Sequence, residues 1–104
     1  MSITDRIRLD YEESMRQAAK LDRLADRLRS RTVQGMDAAA ENIVTAWQSE
    51  TSEACRSKEM ILREQIFESA GKLAATAEVI RRVARNTYAA EMAAVAIARQ
   101  RIYH

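Results

Sequence analysis

Trp47-Gln48-Ser49-Glu50-Thr51-Ser52-Glu53 is the one stretch of the chain in which a bulky apolar residue is followed by several residues that cap helix N-termini. Ser49, Thr51 and Ser52 carry side-chain oxygens that can accept hydrogen bonds from the free amides of a first helical turn, and Glu50 and Glu53 suit the positive end of a helix dipole. A bend at about residues 47–50 follows, with a helix on either side of it.

Upstream of the bend, Ile7, Tyr11, Ala18, Leu21, Ala25, Leu28, Met36, Ala39 and Ile43 fall on one face at steps of mostly three and four, with Ser14 and Thr32 as polar interruptions. This predicts an amphipathic helix over about residues 4–46, opened by Ser2 or Thr4 as the cap and with Asp5 in its first turn. Gly35 is its weak point. Arg29-Ser30-Arg31-Thr32 just before it is where a break would divide the helix, although the apolar face resumes in phase at Met36. Downstream, Cys55, Leu62, Ile66, Ala70, Leu73, Ala77, Ile80, Ala84, Tyr88, Val95 and Ala98 predict a second helix over about residues 51–101.

Composition agrees. The 104 residues include no proline and two glycines, Gly35 and Gly71, and are rich in Ala, Arg, Glu, Leu and Met, all good helix formers. The expected fold class is all-α: a long antiparallel two-helix hairpin in a single domain. With the bend near Gln48, Ile43 comes beside Ala54, Leu28 beside Ser69 and Ile7 beside Ala90, and residues after about Ala93 overhang the first arm. At about 1.5 Å per residue each arm is roughly 60 Å long, and two such helices leave grooves that one hairpin does not close. Ile61, Val79 and Ile97 lie off the main stripe at eighteen-residue intervals, which is five turns. They suit a second helical surface, by which the hairpin dimerises into a four-helix bundle; scattered surface apolar residues are the alternative reading.

A helical hairpin of this length with Trp47-Gln48-Ser49 at its bend resembles the WXG family of small, about one-hundred-residue helical-hairpin proteins of type VII (ESX-like) secretion. The likeness covers most of the chain and extends to the second helix, which ends Ile80-Arg81-Arg82-Val83-Ala84-Arg85-Asn86-Thr87-Tyr88-Ala89-Ala90-Glu91 before its last turns. Ser49 stands where the family motif has glycine; a serine builds the turn by capping the next helix rather than by a left-handed backbone. The resemblance implies a homodimer or a heterodimer with another helical hairpin. It also implies a role as a secreted effector, or as a helical partner and targeting chaperone for the helical N-terminal domain of a larger exported toxin. Secreted members carry a C-terminal Y-x-x-x-[D/E] signal that joins the partner's W-x-G turn in one recognition surface. Here Tyr88 is followed by Glu91, one residue early, and Met92 stands at the expected position. The spacing of three still puts Tyr88 and Glu91 on one face. The altered signal favours the escort role. Trp47, Ser49, Tyr88 and Glu91 are therefore the candidate recognition residues, with Ile61, Val79 and Ile97 for the bundle contact.

Other functions find less in the sequence. Net charge is +2 and the charges are mixed along the helices, so nucleic-acid binding is not demanded. The local exception is the run of Arg81, Arg82, Arg85, Arg99 and Arg101 against Glu91. It reads either as a solvated face suited to a helix C-terminus or as a patch for an acidic partner, and the latter supports an alternative function as a cytosolic helical adaptor. No apolar run has the length of a signal peptide or a membrane span, so synthesis in the cytosol, no membrane insertion, and any export without a cleaved signal are expected. One histidine at the last position, one cysteine on an apolar face and the lack of a glycine-rich phosphate loop give no expectation of an enzyme, a cofactor or a metal. Glu91 falls within the apolar stripe, within reach of Arg6 or Arg8 in the expected register, as a polar contact or as the frayed end of the stripe.

Overall fold

The structure, a computed structural model, describes residues 2–32, 34–35 and 50–103. All but Ser2 are helical, with no strand among them. Helix α1 spans Ile3–Arg27, a π-helical turn follows at Leu28–Thr32, and helix α2 spans Glu50–Tyr103. Residues 47–49 of the expected bend, Trp47 and Ser49 among them, lie outside the described residues, as do Met36, Ala39 and Ile43 of the first apolar stripe, while Glu50 is the first residue of α2. The fold class is that expected: an all-α helical hairpin built from two long helices.

Ser2 caps α1. Its Oγ accepts from the Asp5 amide at 3.1 Å, while its own amide donates to Asp5 Oδ2 at 3.3 Å. The two hydrogen bonds form a reciprocal box that satisfies amides the first turn leaves free. The Arg6 amide then donates to the Ser2 carbonyl at 3.1 Å, the first full turn of the helix.

α1 gives way to π-helical bonding at Leu28, within the segment where the sequence allowed a break. Ser30 Oγ donates to the Asp26 carbonyl at 3.0 Å, so a side chain shares an acceptor that the backbone ladder would otherwise have to itself. The β-branched Thr32 closes the segment, and such turns are the usual form of a local irregularity within a helix.

Two compact units make up the chain. In the first, Met1–Leu21 packs with Ala75–His104; in the second, residues Asp22–Ala74 form their own cluster. In the first unit Ile7, Ala18, Ala77 and Ala84 are buried, and in the second Ala25 and Ala70. The buried alanines are seven residues apart on each helix, Ala18 and Ala25 on α1, then Ala70, Ala77 and Ala84 on α2. A seven-residue repeat keeps one narrow seam facing the neighbouring helix. Between the alanines, Leu21, Leu73 and Ile80 are half-buried. In the first unit Tyr11 of α1 lies against Tyr88 of α2 with ring centroids 5.0 Å apart.

One member of the expected stripe is displaced. Leu62 is 50% exposed, and Glu59 and Arg63 take the half-buried positions on either side of it, joined by a 2.6 Å ion pair. The seam of α2 steps 59, 63, 66, 70, 73, 77, 80 and 84, alternating four and three. Leu62, four before Ile66 and eight before Ala70, breaks that alternation and turns off the seam.

Ala77→Leu should lower stability by about 1–3 kcal/mol, because a fully buried methyl leaves no volume for three more carbons; urea denaturation with far-UV circular dichroism measures it. Ser2→Ala should cost about 1 kcal/mol at neutral pH through loss of the cap. That cost should shrink in acid. Hydrogen bonds from the Ser2 side chain, then from its amide, hold the Asp5 carboxyl below the usual carboxylate range. The contribution is thus present above the unfolded-state pKa and disappears as pH falls through the folded one. Thermal melts of both proteins at neutral pH and at about pH 2 test it; an unchanged difference would remove the carboxylate from the cap.

Candidate association surface

The sequence candidates fall into two groups in the structure. Ile61 of the second unit is 56% exposed, and Val79 and Ile97 of the first are 45% and 52% exposed. All three are helix-surface aliphatics with no cover among the described residues. Tyr88 and Glu91, in contrast, are half-buried in the first unit. The Tyr88 ring leans on Tyr11 at an interplanar angle of 44°, a tilted aromatic contact between the two helices. Part of this side chain is therefore committed to holding α1 and α2 together. Trp47 and Ser49 lie outside the described residues.

Glu91 lines an open cavity of about 270 Å³ in the first unit. Ile7, Val79, Ile80, Val83 and Ala84 form its apolar walls, with Asp10, Tyr11, Ser14 and Thr87 around them. Neither Arg6 nor Arg8 pairs with Glu91 among the described residues. Arg8 instead binds Asp5 one turn away on its own helix, at 2.5 Å. Short-range partners on the same helix win because an i,i+3 pair forms without ordering anything beyond one turn. The cavity lies just below the usual size range of small-molecule sites, and it is closer in scale to one or two large side chains than to a cofactor.

Sequence inspection missed Val83. It is 54% exposed, beside Val79 on the same ridge of α2 and on the wall of the cavity. Its signal was the step of four from Val79, which a search for the main stripe alone passes over. Met60, Ile61, Leu62 and Phe67 of the second unit are also exposed.

The basic run is partly neutralised within α2. Arg81 and Arg85 both reach Glu78, at 3.1 and 3.6 Å, so the segment presents fewer unpaired cations than the residue count from Arg81 onward suggests. Arg82, Arg99 and Arg101 remain exposed. Among the described residues no three His, Cys, Asp or Glu side chains gather as a metal site, and no helix is long and apolar enough to cross a membrane. Comparison of the chain with family models, with curated proteins and with solved structures gives no match.

Tyr88→Ala should cost about 2 kcal/mol, combining lost apolar burial with the lost ring contact, whereas Tyr88→Phe should be close to neutral. Urea unfolding of the two variants separates ring from hydroxyl: an equal loss in both would assign the contribution to the hydroxyl.

Proposed function

We propose that this chain is a WXG-like helical-hairpin protein of type VII secretion that acts by association, as a secreted effector or as a helical partner and targeting chaperone for a larger exported toxin. The observation that carries this is the mismatch between its core and its surface. The buried apolar residues of the described chain are five alanines and Ile7, while Val79, Val83 and Ile97, with Ile61 and Phe67, are exposed. Burying one such side chain is worth about 1.5–3 kcal/mol, and an alanine methyl under about 1 kcal/mol. Among the described residues, these exposed aliphatic and aromatic side chains are thus left available for a contact with another molecule. The partner that matches a helical ridge is another helix, from a second hairpin or from the helical N-terminal domain of a toxin.

The tyrosine-acid spacing supports the escort role over self-export, since Glu91 comes one residue early and is half-buried. A helical partner of this kind binds without chemistry. In the bundle, Ile61, Val79 and Ile97 provide the aliphatic contact, and Trp47, Ser49, Tyr88 and Glu91 the recognition surface.

A second reading rests on the exposed Arg82, Arg99 and Arg101: a cytosolic helical adaptor that binds an acidic partner or nucleic acid. The two separate on salt and on Trp47. Binding through arginines weakens steeply with ionic strength and ignores Trp47.

Light scattering should give a dimer mass for the wild type, and Trp47→Ala should weaken that dimer by about tenfold or more in Kd. A monomer at all concentrations, indifferent to the substitution, would remove the self-association part of this reading.

A further inference from the structure

Two carboxylates of the first unit stand without a cation. Asp10 and Glu91 both lie on the lining of its cavity, Glu91 half-buried, and neither forms an ion pair among the described residues. A half-buried carboxylate with no counter-charge carries a desolvation cost that a cation held beside it offsets. Arg8, Arg81 and Arg85 are engaged elsewhere, the first with Asp5 and the other two with Glu78. The remaining walls of the cavity are chiefly aliphatic, and two of them, Val79 and Val83, are exposed.

The acids and the valines sit at opposite ends of this cavity. In the antiparallel hairpin the Tyr11–Tyr88 contact marks a common level on the two helices. At about 1.5 Å per residue, Asp10 lies roughly 1.5 Å and Glu91 roughly 4.5 Å to one side of that level, and Val83 roughly 7.5 Å to the other. The midpoint of the two acids is therefore about 10.5 Å from Val83 along the axis, the rise of seven helical residues. Seven residues also return a side chain to the same face of a helix. The acid end suits a cation on a long apolar stem, which is the chemistry of lysine and arginine. The valine end suits a large aliphatic side chain.

We infer that the cavity of the first unit receives a helix of another protein, one that presents a lysine or arginine to Asp10 and Glu91 and, seven residues away, a leucine or isoleucine to Val79 and Val83. The inference rests on the association with a helical partner proposed above and names that partner's chemistry. A second copy of this chain does not supply the pattern. Among its exposed large apolar residues, those with a basic residue seven away are Leu9 with Arg16, Leu24 with Arg31 and Val79 with Lys72. Arg16 and Lys72 are held by Glu13 and Glu68, and Val79 is itself a wall of the cavity. Arg31 lies in the π-helical turn, where the seven-residue phase is lost.

The test uses the full chain and a fluorescein-labelled, alanine-based helical peptide with one arginine and one leucine seven residues apart, with binding read by fluorescence anisotropy. Asp10→Asn with Glu91→Gln should weaken binding by about tenfold, and Val83→Ser should do the same. Circular dichroism checks that each variant keeps its helix content. A peptide of the same composition with the two residues five apart, on different faces, should bind about tenfold more weakly. Asp10→Arg with Glu91→Arg should reject the arginine peptide and bind its glutamate counterpart. Glu12→Gln, an exposed acid off the cavity lining, and Ile61→Ser should leave binding unchanged. Binding indifferent to the cavity variants, or equally tight at either spacing, would overturn the site. A dimer weakened by Asp10→Asn with Glu91→Gln would also overturn it, by placing a second copy in the cavity. No peptide binding by a wild type whose dimer still depends on Trp47 would overturn the site and leave the proposed association standing. A wild-type monomer that binds no peptide would overturn both.

Discussion

Alanine at every seventh position of the seam is the constraint on which the other features depend. Ala18, Ala25, Ala70, Ala77 and Ala84, joined in the first unit by Ile7, put mostly methyl groups at the buried points of the two units. Little bulk then has to be accommodated between the helices, and little apolar surface is removed from water by each alanine. Half-buried Leu21, Leu73 and Ile80 and the Tyr11–Tyr88 contact supply what larger apolar contact there is. A core of this kind is specific, since any added carbon meets backbone or a neighbour, but it is weak for the number of residues it orders.

That weakness has a counterpart on the surface. In a protein with a broad interior, Val79, Val83 and Ile97 would be drawn inward; here the inward positions are already taken by alanine, and the β-branched residues stand on a second ridge of α2. Single exposed aliphatics are common on any protein. An aliphatic ridge in helical phase beside an apolar cavity is a different feature, and its shape is one that suits a second helix. The functional proposal rests on this division between a small-residue interior and a large-residue exterior.

Electrostatics acts mainly within each helix. Asp5 with Arg8, Glu13 with Arg16, Glu68 with Lys72 and Glu78 with Arg81 are exposed pairs three or four residues apart. Each is a weak, solvent-screened contact that supports its own helix, not the packing of one helix on the other. The carboxyl of Glu13, held low first by the Gln17 amide and then by Arg16, belongs to the same local class. The register of the first unit is left to steric fit along the seam and to the Tyr11–Tyr88 contact.

Much of this was determined by the sequence alone. The lack of proline, the helix formers and the repeating apolar steps dictate two long helices, because backbone bonding within a helix is local and needs no partner. The cap at Ser2, the segment where α1 departs from α-helical bonding, and the near pairing of Ile7 with the Ala90 region were legible for the same reason. What only the tertiary structure decided were matters of a fraction of a turn. It put Arg63 and not Leu62 beside the seam, drew Tyr88 onto Tyr11, sent Arg8 to Asp5 rather than Glu91, and joined Val83 to Val79 at the edge of a cavity. A heptad pattern fixes which side of a helix is apolar, but one residue shifts direction by about 100°, so the final choice among neighbours depends on the helix packed opposite.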